Sequence, residues 1–365
     1  MSNTNNMKET DKKKKLEVNV KFSALNPFIE DNRVMPTENE IKGKGFVEFG
    51  TRNQYPNYIW ELYKTVPTLG SIINSVVDYA AGDEVSSTNL LWRNEKEITD
   101  FCRKVFLNLA VFNGCYINIV RSKMGNIAKL DVLDYRNVRS DKDNTMFYYS
   151  PDFSRDKSYG RCKCVAYPVF KAEDKHIANS VYYIKGVNNS TYSTPIWEQA
   201  QTACEMEKNI NEYSLNEINN GFSSNVIVNM NNGVPTDEVK EEIVDMFNEK
   251  FTGYQNAARP VITFNNDKEH APTIDKIETD NLNDRYASTQ ERAKQQILTA
   301  WRCNGNLVGI PTAQGFNSEE FKSSYELFYK TVVKPIQKML LNAVDDIFGE
   351  DNVITIAPFT INFGD

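Results

Sequence analysis

The chain has 365 residues, 40% of them hydrophobic and 25% charged, with a formal net charge of -7 at neutral pH. That acidity excludes a tight nucleic-acid clamp, which needs a basic footprint, but not a conduit along which a polyanion must slide without sticking. No apolar run reaches the length of a membrane span, and the polar N-terminus lacks the apolar core of a secretory signal.

Residues 1–45 are rich in Asn, Lys and Glu, include the run Lys12-Lys13-Lys14-Lys15 and show no sustained periodicity, which predicts a mobile or partner-ordered arm. Apolar residues from Ile59 to Ala80 recur at helical spacing with an interruption at Pro67, so two helices or one kinked helix are expected. A further helix spans about 94–111. From Gly114 the period changes to two: Cys115–Val120 and Ile127–Leu133 read as strands joined at Met124-Gly125-Asn126. Shorter strands follow at Met146–Tyr149, Cys162–Phe170 and Val181–Ile184.

Thr194-Pro195 reads as the capped start of a long helix that stops at Gly221, ~26 residues or roughly 39 Å. Its apolar stripe (Ile196, Ala200, Ala203, Cys204, Ile210, Leu215, Ile218) is thin, so burial against neighbouring subunits is expected. A strand at Ser224–Met230, a helix at Thr236–Phe251 and a strand at Pro260–Phe264 make a small β-α-β unit, with Val239 on the helix's buried side. A second long helix covers about 280–303 and a glycine-punctuated stretch follows it. A last helix, capped by Asn317 or Ser318, carries Phe321 through Ile347 at three-four spacing with Pro335 inside, where proline should kink the axis. A strand at Val353–Ile356 and an apolar segment Phe359–Phe363 close the chain.

Chemistry-bearing motifs are sparse. Cys162-Lys163-Cys164 would put two sulfurs on one side of a strand, but a zinc site needs about two more ligands and neither His176 nor His270 is spaced to supply them. The six cysteines (102, 115, 162, 164, 204 and 303) are scattered, the pattern of a reducing compartment. No serine elbow, phosphate-binding loop or metal-binding histidine pair is present, so no catalytic residue, metal or cofactor is assigned. Glu238, Glu241, Glu242 and Asp245 read as a solvated helix face or a docking surface for a basic partner. Arg285, Arg292 and Lys294 are exposed helix charges or a basic channel lining.

The segment Gly186-Val187, then Ser193-Thr194-Pro195-Ile196 and Ala200, resembles the approach to the stem helix in tailed-bacteriophage portal proteins. Cys303-Asn304-Gly305-Asn306-Leu307-Val308-Gly309-Ile310-Pro311, followed by Ser318-Glu319-Glu320-Phe321 and Pro335, is similar to the turn and wing helix after that family's second stem helix. The resemblance implies an α+β, elongated portal-type subunit. Its parts would be an N-terminal arm (1–45), a mixed α/β wing (46–190), a first stem helix (191–222), a β-α-β clip (223–272) and a second stem helix (273–303). A tunnel loop (304–320), a kinked wing helix (321–350) and a C-terminal strand (351–365) would complete it.

The resemblance also implies a ring, usually of twelve subunits, at the portal vertex of a virion, assembled in the host cytoplasm. Such a ring docks the terminase ATPase, contacts capsid and tail-connector proteins, and passes double-stranded DNA without reading its sequence or touching a membrane. Thr312, Ala313, Gln314, Gly315, Phe316 and Asn317 would then face DNA. The rival readings are another head–tail adaptor ring and a metal-dependent nucleic-acid enzyme.

Overall fold

Helix α1 (Tyr55–Thr65) and helix α2 (Pro67–Ala81) are separated by a single residue, Val66, held extended at φ -100°, ψ 107°. Proline explains the break, because its ring drives the preceding residue out of the helical region while its missing N–H costs nothing in a first turn. The computed structural model describes residues 34–40, 45–153, 164–219, 227–230, 235–240, 261–264, 282–310 and 318–360. Within them α2 is the central element. Leu69, Ile72, Ile73, Val76, Val77, Tyr79 and Ala80 are all buried, which leaves only a narrow exposed stripe at Pro67, Asn74 and Asp78.

Helix α3 (Glu95–Phe112) packs on α2. Asn94 caps it by accepting the Glu97 N–H, the Glu97 carboxylate reaches back to the Arg93 N–H, and Asn113 ends it in the left-handed region. The chain then enters β4 (Gly114–Arg121), the centre strand of an antiparallel sheet whose edges are β5 (Ile127–Leu133) and β9 (Asn179–Lys185). A second antiparallel sheet holds β6 (Val138–Ser140), β7 (Met146–Tyr149) and β8 (Val165–Pro168) in that order. Cys164, just before β8, is disulfide-bonded, whereas Cys102, Cys115, Cys204 and Cys303 are free. The expectation of reduced cysteines therefore holds for those four and fails at Cys164. Cys162 lies outside the described residues.

Two strand pairs were not expected. β1 (Glu38–Glu40) lies antiparallel to β2 (Val47–Phe49), so the arm predicted for residues 1–45 is corrected at Val34–Glu40. What fixes this segment is remote. The two carboxylate oxygens of Glu38 accept the Thr191 and Tyr192 N–H groups at 3.0 and 2.8 Å. β3 (Glu84–Ser87) pairs antiparallel with β12 (Ile354–Ala357) near the end of the chain. Gly82 precedes β3 at φ 66°, and a Cβ there would lie 2.0 Å from the Ala357 carbonyl oxygen, so this close approach admits only glycine.

The long helix expected from Thr194-Pro195 starts later. Residues 195–200 form a turn and a short 3-10 segment, and helix α4 runs Gln201–Asn219. At 19 residues it spans roughly 28 Å instead of 39. The cause is Trp197, fully buried with Nε1–H donating to the Ala110 carbonyl at 3.2 Å, which holds the backbone out of helical geometry at φ -101°, ψ 20°. A locally good cap is overridden by burying the largest side chain available.

Strands β10 (Ile227–Met230) and β11 (Val261–Phe264) pair in parallel, and residues 237–240 between them are helical. Parallel neighbours need a crossover connection, which the expected β-α-β order supplies. Val239, expected on the buried side, is 41% exposed. Spacing tells which residues share a face but not what covers it. Helix α5 (Leu282–Ala300) returns against α4.

The final helical run is α6 (Ser318–Phe328), a π turn (Tyr329–Val333) and α7 (Lys334–Phe348). Pro335 stands in the first turn of α7, directly after the π turn. Proline cannot donate to the carbonyl four residues back and its ring collides with it, and a widened turn takes that carbonyl out of the way. Phe359 is half-buried against the core, and 361–365 lie outside the described residues.

Replacing Trp197 with alanine removes both the bond to Ala110 and the largest buried side chain of the bend, so it should lower the unfolding free energy by roughly 3–5 kcal/mol. Urea melts of wild type and Trp197→Ala at matched protein concentration measure this.

Candidate functional site

Helices α4 and α5 form an antiparallel pair cross-braced by polar and aromatic contacts. Gln290 Nε2 donates to Asn211 Oδ1 at 3.0 Å, and the rings of Tyr213 and Tyr286 lie 4.9 Å apart. Ala203 and Cys204 on α4, with Ala293, Ile297 and Leu298 on α5, supply the buried side. Lys208 of α4 pairs with Glu61 of α1, and Glu205 accepts from the Tyr58 hydroxyl at 2.8 Å, which ties the first half of α4 to α1. Leu215, farther along, is 57% exposed, so the expected thin burial holds for the distal half and not the proximal one.

Glu207 is the unusual member. It is buried, and one carboxylate oxygen accepts both the Thr68 N–H (3.3 Å) and the Thr68 hydroxyl (2.9 Å) at the N-terminus of α2. The other oxygen has no hydrogen-bond partner among the described residues. Burial pushes its pKa up, while the Thr68 bonds and the charge of Lys294 on α5 pull it down less strongly. A carboxylate at a helix N-terminus is favourable in itself, so here desolvation outweighs capping.

The sequence-predicted residues fall as follows. Arg292 is exposed on α5 at one flank of buried Ala293, and no ion pair to it is present among the described residues. Lys294 is on the opposite flank, half-buried, with Nζ 4.0 Å from Glu291. The two therefore do not share a face. Arg285 lies on α5 in a part whose side chains are outside the described residues, as are Glu241, Glu242 and Asp245. Glu238 is exposed in the helical turn at 237–240. Thr312, Ala313, Gln314, Gly315, Phe316 and Asn317 lie outside the described residues. Pro335 is exposed at the start of α7. Among the described residues there is no group of three His, Cys, Asp or Glu able to hold a metal. His176 is exposed and His270 is outside them.

Two features escaped the sequence reading. Along the outer side of α5, Arg292, Gln295 and Thr299 lead to exposed Arg302, which adopts the left-handed region at φ 52°. Arg302 borders a groove of about 440 Å³ with Asn304, Cys303 and Ile310. Beyond it a 3-10 turn, Gly305–Val308, is capped by Asn304 and ends at Gly309 with φ 75°. The i, i+3, i+7 spacing of Arg292, Gln295 and Thr299 was a readable signal, whereas the position of Arg302 past the helix end was not.

The phage portal protein family matches residues 92–356, from the loop before α3 to within β12, and the chain belongs to that family. No curated protein matches the chain. Among solved structures it is similar to a chain of the virion of a native gene transfer agent particle (16% identity, TM-score 0.52, covering 82% of this chain and 83% of that one). It is also similar to a chain from the neck of the native particle computed with C12 symmetry (15% identity, TM-score 0.52, 83% and 84% covered). A further match is an HK97-family phage portal protein from Corynebacterium diphtheriae (10% identity, TM-score 0.49, 82% and 93% covered). At such identities the gene-transfer-agent likenesses are ones of fold, and they agree with the α+β architecture expected.

Glu207 gives two separable expectations. Glu207→Ala uncaps α2 and should cost about 1–2 kcal/mol. Glu207→Gln keeps the acceptor for Thr68 and removes the buried charge. Because the folded-state pKa is raised, the folded chain holds this proton more tightly than the unfolded one. Wild type therefore gains stability at this site as pH falls through the folded pKa. Thermal melts should show Glu207→Gln ahead of wild type above neutral pH, with the gap closing toward the ordinary carboxylate range. A gap independent of pH would contradict the assignment.

Proposed function

We propose that this chain is the subunit of a ring, of twelve copies, that forms the conduit for double-stranded DNA at one vertex of a viral capsid. In this reading 46–190 is the wing, 191–222 and 273–303 the two stem segments, 223–272 the clip, 304–320 the tunnel loop, 321–350 the wing helix bent at Pro335, and 351–365 the closing strand. The observation that carries it is the order of elements within the family match: α4, the parallel β10–β11 pair, then α5 packed back on α4. Two helices that leave a body side by side and bracket a small lobe make a stalk, and a stalk with a polar outer face suits a channel wall. The twelvefold number is carried over from the C12 symmetry of the gene transfer agent neck.

The subunit is a structural part in this reading, and a separate terminase ATPase supplies the work. Net charge supports the division of labour. With -7 on each subunit, a ring repels DNA overall, while Arg292, Lys294 and Arg285 offer weak, salt-screened contacts. DNA is then held loosely enough to slide. The lobe bearing Glu238 is the surface offered to the terminase, and the capsid and tail connector meet the remaining faces of the virion-bound ring.

Negative-stain images of the purified full-length chain, with mass from light scattering, test the ring directly. Rings with a central hole and about twelve copies are expected. A compact monomer that melts cooperatively and independently of concentration would contradict the proposal. Deleting 224–266 with a short linker should leave rings that no longer engage the terminase, and undiminished docking would refute the clip assignment.

A further inference from the structure

Helix α5 ends in a Schellman turn built on an arginine. The Cys303 N–H donates to the Leu298 carbonyl at 3.0 Å, and the Arg302 N–H to the Thr299 carbonyl at 3.0 Å, with Arg302 in the left-handed region at φ 52°. Glycine, or failing that asparagine, suits this position, because any larger side chain crowds its own backbone there. The chain follows that rule at its other helix ends. Helix α3 closes on Asn113 at φ 56° and α7 on Gly349 at φ 68°. Of the six non-glycine residues with positive φ among the described residues, four are asparagines and the other two are Arg52 and Arg302. The backbone therefore does not select arginine at 302, and the reason must lie in its side chain. That side chain is exposed and has no hydrogen bond, ion pair or ring contact among the described residues. It extends the outer side of α5 formed by Arg292, Gln295 and Thr299, with the two guanidinium groups separated by roughly 15 Å of helix. The groove of about 440 Å³ that Arg302 borders keeps the surface beside it open.

We propose that Arg302 is a phosphate contact, an arginine kept at a glycine position so that its guanidinium meets the backbone of duplex DNA passing the end of α5. This rests on the conduit reading, in which α5 belongs to the second stem segment. A strained turn is retained where something outside the fold gains from it, and an unpaired exposed cation names the chemistry of that gain. Guanidinium binds a phosphate through two parallel N–H groups, which lysine cannot do. The turn also fixes where the side chain starts, so each copy in a ring offers it at one height. The negative end of the α5 dipole favours a cation here as well, but it favours lysine equally and an exposed site screens it. A contact of this kind reads no sequence and weakens as salt rises.

The test uses rings of the full-length chain as wild type, Arg302→Gly, Arg302→Lys and Arg52→Gly. Each is melted, and each is titrated against a labelled duplex of about 30 base pairs at salt from about 50 to 200 mM. Arg302→Gly should melt at the wild-type temperature or a few degrees above it, because glycine relieves the turn. It should nevertheless bind the duplex several-fold more weakly, and its slope of log affinity against log salt should fall by about 0.9 for each arginine lost from the contact. Arg302→Lys keeps the charge and should keep the slope, with affinity between the two. Arg52→Gly removes an equal charge and an equal backbone strain outside α5, so its binding should stay at the wild-type level. A full salt slope in Arg302→Gly, or an equal loss in Arg52→Gly, overturns the proposal. A lower melting temperature in Arg302→Gly overturns it too, since the arginine would then serve the fold. Wild type that forms no rings, or rings that bind no duplex, would sink the conduit reading and the contact together. Wild-type binding that survives Arg302→Gly would sink the contact alone.

Discussion

Helix α2 buries most of its surface and leaves only the narrow stripe of Pro67, Asn74 and Asp78 exposed, so other helices supply most of what its surface and its ends require. Its flanks are covered by α1, α3, α5 and the π turn. Its ends are finished from afar. Glu207 of α4 receives the Thr68 N–H at the start, and Gln337 of α7 donates to the Ala80 carbonyl at the finish, at 2.9 Å. The same Gln337 accepts from the Tyr329 hydroxyl in the π turn. Buried helix termini without partners carry a penalty of order 1–3 kcal/mol per group, so these two polar reaches bind α4 and α7 to one axis. The site follows from that constraint, since α5 ends beside α2, and α6 meets it at Tyr325 and Phe328.

Much of this was legible because the relevant signals are local. Pro67 after an apolar helical run marks the α1/α2 break by its own stereochemistry. The apolar spacing over about 94–111 marks α3, and the switch to alternation at Gly114 marks β4. What was not legible depends on partners distant in sequence. Strands of three or four residues such as β1 and β3 are too short for a period to show, and they exist because Glu38 finds residues 191 and 192, and because β12 finds β3. The late start of α4 is the clearest conflict. Thr194-Pro195 is a good capping pair, but the burial of Trp197 against Ala110 is worth several such caps.

The candidate site divides the same way. Charges on α5 could be placed on the helix from spacing, yet whether Arg292 and Lys294 share a face required the fold, and they do not. Glu207 carries no sequence signal that separates it from the other acids of a polar helix. Its burial arises because a helix start from another part of the chain needs an acceptor, which no local pattern encodes. The polar outer side of α5 and the acidic total charge point the same way. Along the described part of α5 that side presents Gln295 and Thr299 between the exposed cations Arg292 and Arg302.

The pairing of β12 with β3 has a consequence in time as well as space. Ser87 donates through Oγ to the Val353 carbonyl across 266 residues of chain, and the strands on either side exchange their ladder there. Contacts so distant in sequence form late, because the loop they close must first be made. During synthesis, β3 emerges from the ribosome with an open edge that nothing upstream in β12's place can cover. The wall of the fold is completed only when residues 354–357 have been made. A nascent chain is thus held short of its finished shape until β12 has left the ribosome, and that strand acts as the clasp that dates its maturity.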